Sequence, residues 1–293
     1  MRVAVIGSTG QLGTDLMKAL RDGHDAIGFT HENLEVSDYN SCLKLKEHHP
    51  DVIINTATFH KTDQCEDDLV KTFSVNTIGA RNVTAISKEI GAITVLISTD
   101  YVFDGNKKKP YTEDDPTSPI NSYGISKLAG ELYTEQNPKH YIARVASLFG
   151  TAGASGKGGN FVETMIAKAK NNEVISVVDD MWMIPTYTKD AASMLKKIME
   201  MKLPFGTYHV ANQGYCTWLE FAEEIFKIMG LNTTLQPIKT RQLQVKASRP
   251  EFSALENAGL SRHGLHMREW RTALNEYLIE KGHEISASRP KGN

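Results

Sequence analysis

The chain has 293 residues, with 33 Lys and Arg against 35 Asp and Glu and a formal net charge of -2. That length suffices for one large domain or two linked ones with an ample core, and the near-neutral charge leaves no electrostatic footprint for nucleic acid or an anionic membrane. Cys42, Cys65 and Cys216 are scattered without C-x-x-C spacing, which argues against a disulfide frame or a zinc site and makes the cytoplasm the expected compartment.

In chain order, Arg2-Val3-Ala4-Val5-Ile6 is a β-branched apolar run that stops at glycine, too brief for a signal-peptide core or a membrane span. It predicts a buried parallel strand. From Gln11 to Arg21, Leu12, Leu16, Met17 and Leu20 recur at helical spacing. Between strand and helix lies Gly7-Ser8-Thr9-Gly10-Gln11-Leu12-Gly13, spaced G-x-x-G-x-x-G rather than the commoner G-x-G-x-x-G. Gly7 permits the tight turn, Gly10 lets backbone approach a pyrophosphate, and Gly13 lets helix pack on strand, with the helix N-terminus facing the phosphates. The turn is a candidate site for NADPH or NADH.

Further apolar runs at 26–29, 52–54, 94–97 and 141–143 alternate with helical stretches near 38–48, 66–90 and 122–136. This alternation predicts an α/β fold, a Rossmann-type doubly wound parallel sheet over residues 1–150, with ligands at the carboxyl ends of its strands. Past Gly150 the rhythm changes to a Gly/Ser/Lys loop at 153–159, a helix near 161–171, mixed short elements and a helix near 268–281. Residues 151–293 are expected to form a smaller α+β substrate region, partly interleaved with the first, ending in a frayed polar tail from Glu284.

The chemistry gathers on Thr99, Tyr123 and Lys127. A tyrosine titrates near ~10, too high for efficient proton exchange at neutral pH unless a cation stabilises its phenolate. Lys127, four residues on, shares a helix face with Tyr123 and can be that cation while reaching a nicotinamide ribose. Thr99, at the end of the strand through Ser98, can hold a substrate oxygen. Acid, tuner and positioning group together point to carbonyl reduction. The bare spacing is weak evidence, since Tyr277-Leu278-Ile279-Glu280-Lys281 repeats it in the C-terminal helix, where it reads as structural. What distinguishes Tyr123 is its place after the Ser98-Thr99 strand end and the glycine turn.

Other candidates carry less. Gly156-Lys157 lacks the upstream glycine and following Ser/Thr of a phosphate loop and suits a flexible loop over substrate; no G-x-S-x-G elbow exists for a hydrolase. Lys107-Lys108-Lys109 reads as a solvated loop, and His263 and His266 as surface residues with no partner ligand. Asp63 and Glu66, at a helix start, suit the macrodipole or a substrate site equally. After the second strand, Phe29-Thr30-His31 has neither a carboxylate to repel a 2′-phosphate nor an arginine to clamp one, so discrimination between the cofactors is expected to be modest, with NADPH slightly favoured through Thr30 and His31.

These motifs, with Asp51-Val52-Ile53-Ile54-Asn55, Ser98-Thr99-Asp100-Tyr101-Val102-Phe103-Asp104-Gly105, Pro119-Ile120-Asn121-Ser122-Tyr123-Gly124, Lys127-Leu128-Ala129-Gly130-Glu131, Asn160-Phe161, Pro185-Thr186 and Arg249-Pro250 with Ser253 and Leu255, resemble the dTDP-4-dehydrorhamnose reductase family of extended short-chain dehydrogenases. The resemblance runs over nearly the whole chain. It implies reduction of a 4-keto group on a nucleotide-activated 6-deoxyhexose, the closing step toward dTDP-L-rhamnose for surface polysaccharides. By residue it implies catalysis by Thr99, Tyr123 and Lys127 and a cofactor site at Gly7, Thr9, Gly10, Gln11, Leu12 and Gly13, with Glu35-Val36 beside the adenine and Thr56-Ala57-Thr58 and Ser98 along the cofactor. Val102, Phe103, Asn160, Phe161, Trp182 and Arg249 would face the nucleotide sugar.

Two departures bear on substrate. The family's Arg-Thr-Ser-Trp run appears as Arg144-Val145-Ala146-Ser147, so an aromatic near the sugar is missing, and its Asp-Gln-x-Gly-x-Pro-Thr run appears as 180–186 with Trp182 close by. Some relatives carry a metal at a dimer contact, but no metal ligand can be mapped here. A homodimer is the partner arrangement the family suggests. Related 4,6-dehydratases and epimerases share the Tyr and Lys, and one branch of the fold is a regulatory subunit. Dehydratases place glutamate where this chain has Tyr101, which disfavours dehydration.

Overall fold

The first apolar run forms β1 (Arg2–Ile6), in which Val3, Ala4, Val5 and Ile6 are all buried, as a strand covered on both faces requires. It pairs in parallel with β2 (Asp25–Phe29) on one side and β3 (Val52–Asn55) on the other. The sheet continues through β4 (Ile93–Thr99) and β5 (His140–Val145) to β6 (Gly206–His209), giving six parallel strands in the order β6-β5-β4-β3-β1-β2. This is the doubly wound α/β architecture expected from the strand and helix alternation. The order reverses between β1 and β3, so the strand ends there open a crevice. The structure is a computed structural model that describes residues 1–153, 159–171 and 173–285. Gly156-Lys157, expected as a loop over substrate, and the tail past residue 285 lie outside the described residues.

Alternation along β1 sends Val3 and Val5 to one face and Ala4 and Ile6 to the other. The first face is covered by α1 (Gln11–Leu20), through Leu12, Leu16 and Leu20, and by a later helix that packs along α1. The second is covered by α2 (Gly79–Ile90), through Val83 and Ile86. Against α2 lies α3 (Ser122–Thr134), which carries Tyr123 and Lys127. A second core gathers Phe149, Phe221, Trp270 and Tyr277 among α4 (Phe161–Lys170), α6 (Trp218–Met229) and α7 (Trp270–Glu280). The helix packed on α1 is α5 (Thr188–Glu200), so residues past 150 supply one helix and the edge strand β6 to the first layer system. No helix among the described residues is long and apolar enough to cross a membrane.

The helix expected over 66–90 is divided. Thr62–Asp67 and Leu69–Phe73 are separate turns, a π-helical turn follows at Ser74–Ile78, and only then does α2 begin. Asp68 causes the break: its carboxylate accepts from Lys71 N at 2.9 Å, a capping geometry that competes with helix continuation. The π-turn aims Asn76 inward. Its amide accepts from Thr58 Oγ1 and Phe59 N and donates to Ser126 Oγ at 3.0 Å, clamping the loop after β3 to α3.

Candidate active site

The glycine turn has the geometry its spacing predicts. Gly7 sits at φ +78°, and a Cβ there would lie 2.4 Å from Thr56 Oγ1, so side chains are excluded by conformation and by space. At Gly13 a Cβ would stand 2.0 Å from the Gly7 carbonyl oxygen, which is how α1 packs against the end of β1. Gly10 begins α1 without a side-chain cap, and the first turn carries no acidic residue. The helix N-terminus, with its unpaired N–H groups and partial positive charge, is left for an anion.

From this turn a cavity of about 890 Å³ runs across the crevice. Its walls hold Gly7, Thr9, Gly10, Gln11 and Leu12 from the turn; His31, Glu35 and Val36 beyond β2; and Thr56, Ala57 and Thr58 after β3. Ser98, Thr99, Tyr123 and Lys127 line its middle, and Asn160 and Phe161 its far part. Gly13 lies just behind the wall, in the packing role above.

Thr99 ends β4 and accepts a hydrogen bond from Tyr101 N at 3.2 Å. Asn121 caps α3 by accepting from Gly124 N at 2.8 Å, and a Cβ on Gly124 would meet Tyr101 O at 2.2 Å. That close approach brings Tyr123 onto the strand end, on the same cavity wall as Thr99 and Thr58. Lys127, one turn on and 2 % exposed, donates from Nζ to Ile97 O at 2.6 Å.

The electrostatics correct one expectation. Burial is the largest influence on Tyr123 and pushes its phenol up to about 12, with the Thr99 hydroxyl opposing. Burial also pulls Lys127 down to about 8, with Glu131 opposing. The phenol is thus not brought toward neutrality by Lys127; it keeps its proton at neutral pH, as an acid in carbonyl reduction must.

Behind the site, Glu131 accepts from Arg144 Nε at 3.0 Å and Nη2 at 2.7 Å and from the Ser98 hydroxyl, all of them buried. The Arg144 guanidinium lies 5.2 Å from the Phe103 ring centre. This places Phe103, and Val102 beside it, in a closed core with Tyr111 and Leu255. Neither faces the cavity, contrary to expectation, because the short helical turn at Asp100–Val102 rotates the chain inward. Trp182 is also outside the cavity wall, packed on Phe252 and edge-on to Tyr215. Thr30 turns its N–H to Asn33 Oδ1 at 2.8 Å and does not line the cavity. Arg249 stands outside the wall, pairing with Asp63 at 3.1 Å and donating to Thr62 Oγ1, which does line it.

The two acidic residues left open by the sequence both have structural partners. Glu66 accepts from Ser122 N and Oγ at the start of α3, and Asp63 accepts from Lys246 N and Ala247 N. Tyr277, the second match to Tyr-x-x-x-Lys, is buried in the second core, where it donates to Glu163 and accepts from Asn160 Nδ2. Among the described residues no group of three His, Cys, Asp or Glu could hold a metal.

Of the aromatic wall at the far end of the cavity, sequence reasoning found Phe161 but missed Trp218 and Phe221. Phe161 and Trp218 lie 4.7 Å apart by ring centres, with Phe221 stacked on Phe161 at 5.5 Å. A readable signal existed: Thr217 and Glu220 form a capping box that fixes the start of α6 and so the position of Trp218. Asn76 gave no such signal, since a π-turn has no spacing pattern.

A glycine turn at the first βα crossover, a sheet reversal beside it and a Thr, Tyr and Lys set on one cavity define a short-chain dehydrogenase/reductase site for a nicotinamide dinucleotide. Within that class the chain belongs to the dTDP-4-dehydrorhamnose reductase family: the family model described as RmlD substrate binding domain matches residues 1–282. The spore coat polysaccharide biosynthesis protein SpsK of Bacillus subtilis is 39% identical over 96% of this chain and 98% of its own length. A dTDP-4-dehydrorhamnose reductase of Streptomyces griseus is 34% identical, covering 94% of this chain and 92% of that protein. The crystal structure of dTDP-4-dehydrorhamnose reductase from Bacillus anthracis in complex with NADP superposes with a TM-score of 0.90 at 37% identity, over 95% of this chain and 99% of that one.

Proposed function

We propose that this protein reduces the 4-keto group of a nucleotide-activated 6-deoxyhexose with NADPH or NADH, and that dTDP-4-dehydrorhamnose, reduced to dTDP-L-rhamnose, is its substrate. The observation that carries the reading is that Thr99, Tyr123 and Lys127 line one cavity with the glycine turn. The residues present fit a dinucleotide: Gly7 and Gly13 leave no room for side chains, and α1 offers uncapped N–H groups to a pyrophosphate. When bound, the reduced nicotinamide supplies a hydride. Thr99 then holds the keto oxygen by its hydroxyl, and Tyr123 donates its phenolic proton to that oxygen as negative charge develops there. Lys127, whose amine is held near about 8, contributes a buried positive charge beside the phenolate that results. Phe161 and Trp218 offer an apolar wall in place of the aromatic absent at Ser147.

The deciding assay follows reduced-cofactor absorbance with a panel of 4-keto nucleotide sugars. Turnover with dTDP-4-dehydrorhamnose supports the reading, and no turnover with any member favours the regulatory-subunit alternative. Dehydration is not expected. Tyr101 stands where a dehydratase has its glutamate, and burial pushes its phenol well above the ordinary range, so it cannot serve as a base at neutral pH. Incubation with dTDP-glucose is expected to give no 4-keto-6-deoxy product by mass spectrometry; finding one would overturn the reductase assignment.

Both nicotinamide cofactors are expected to work. At the adenosine end, His31 Nδ1 pairs with Glu35 Oε2 at 3.0 Å, and Ser37 holds the same carboxylate. His31 offers attraction to a 2′-phosphate and Glu35 repulsion, so the two offset. The ratio of kcat/KM for NADPH over NADH should fall within about tenfold, or about 1.4 kcal/mol. A ratio beyond about a thousandfold, roughly 4 kcal/mol, would mean that another residue reads the 2′ position.

A further inference from the structure

The start of α3 is gripped from outside the helix, and the grip falls on the residue just before Tyr123. Asn121 already caps the helix by accepting from Gly124 N. The N–H of Ser122, at the first helical position, would ordinarily be left to water. Here it donates to Glu66 Oε1 at 2.8 Å, and the Ser122 hydroxyl donates to Glu66 Oε2 at 2.6 Å, so both oxygens of one carboxylate close on one residue. Glu66 comes from the short turn Thr62–Asp67, which is itself anchored. Asp63 accepts from Lys246 N at 3.1 Å and Ala247 N at 3.0 Å and pairs with Arg249, while Asn121 Nδ2 donates to Ser248 O at 2.8 Å. Three segments, 62–67, 121–122 and 246–249, are thus tied to one another, and Thr62 from the first lines the same cavity as Tyr123. Glu66 and Ser122 stand behind that wall. With Asn121 serving the helix end, a second carboxylate there adds orientation more than capping.

We infer that Glu66 is a positioning residue for the acid: its two-point hold on Ser122 sets where the Tyr123 phenol stands relative to Thr99 and the keto oxygen. Tyr123 is the second residue of α3, in the turn where an unrestrained helix frays. Carbonyl reduction needs phenol, threonine hydroxyl and hydride donor to converge on one group, and a misplacement of ~1 Å can cost on the order of 10² in rate. Glu66 acts through Ser122 and makes no contact with the reacting atoms. The inference rests on the ketoreductase reading and on Tyr123 as its acid.

The test is the single-turnover rate constant for reduced-cofactor oxidation, with cofactor-loaded enzyme in saturating excess over dTDP-4-dehydrorhamnose or whichever panel member the unsubstituted protein reduces. That constant does not depend on what fraction of the protein is folded, so a merely structural residue would leave it unmoved. Glu66→Ala should slow it at least about tenfold while the Kd for NADPH, followed by fluorescence, stays within about twofold. Glu66→Gln keeps an acceptor for Ser122 N and turns an amide N–H to the Ser122 hydroxyl oxygen, so it should remain within about threefold of the parent, which separates placement from charge. Ser122→Ala removes only the hydroxyl bond; it should slow the step about threefold alone and add little to Glu66→Ala, since the two residues make one contact. Should Glu66→Ala fail to fold, Ser122→Ala carries the test. A Glu66→Ala enzyme that melts earlier yet keeps the parental rate constant, a Ser122→Ala enzyme at the parental rate, or losses that simply add in the double variant overturn the positioning role alone. An unsubstituted protein that reduces no 4-keto sugar overturns the ketoreductase reading and the positioning role with it.

Discussion

Tyr123→Phe is expected to lower turnover by roughly 10² to 10⁴, the range a positioned general acid supplies, with little change in cofactor affinity. Only one hydroxyl is lost. The ring keeps its edge-on contact with Tyr101, at 6.0 Å between centres, and the glycine turn that would hold the pyrophosphate is not touched. The phenol also has what a general acid needs, since it is held protonated and lines the same cavity as the residue that would hold the keto oxygen. Tyr277→Phe is the control, because it has the same four-residue spacing to a lysine and none of the surroundings. Its phenol holds Asn160 and Glu163, so its loss should cost on the order of 1 kcal/mol of stability. Since Asn160 lines the cavity, KM can move while kcat stays close to that of the unsubstituted enzyme. Steady-state kinetics with denaturation curves on both variants separate the two roles, and equal losses of kcat would remove Tyr123 from the acid's position.

What the sequence made legible follows from which interactions are local. The βα turn, the first five parallel strands and the Tyr-x-x-x-Lys helix depend on backbone geometry and short-range periodicity and were readable, whereas the edge strand Gly206–His209 was not. Val102 and Phe103 were misplaced because a motif shared with relatives says that residues matter without saying which way they point. Their burial is decided by residues such as Arg144 and His209, which pack on Phe103 from other parts of the chain. Trp182 and Arg249 went the same way: each is held by partners more than thirty residues distant, Tyr215 and Phe252 for the first and Asp63 for the second. The broken helix over 62–90 had a local signal in Asp68 that the apolar periodicity around it masked. The direction of the Tyr123 shift could not come from sequence at all, because its largest cause is burial, a property of the assembled site.

Arg144→Met should destabilise the fold by about 3–5 kcal/mol, the usual cost of breaking a buried ion pair from one side. Glu131 and Arg144 are 2 % and 6 % exposed, and the guanidinium makes two hydrogen bonds to the carboxylate, at 3.0 and 2.7 Å. Methionine fills much of the space and keeps contact with Phe103, so the loss comes mainly from a carboxylate left buried with the Ser98 hydroxyl as its remaining side-chain donor. That carboxylate also opposes the lowering of Lys127, and Ser98 precedes Thr99 in the same strand end, so some activity should be lost along with stability. The double variant Arg144→Met with Glu131→Leu tests the cause. Replacing both charges by apolar groups of similar size removes the lone carboxylate, and most of the lost stability should return even though the ion pair is gone. Urea unfolding of both variants beside the unsubstituted protein measures this. An Arg144→Met protein as stable as its parent would show that the pair is not holding β5 to α3, and a double variant no better than the single would place the cost in packing around Phe103 instead.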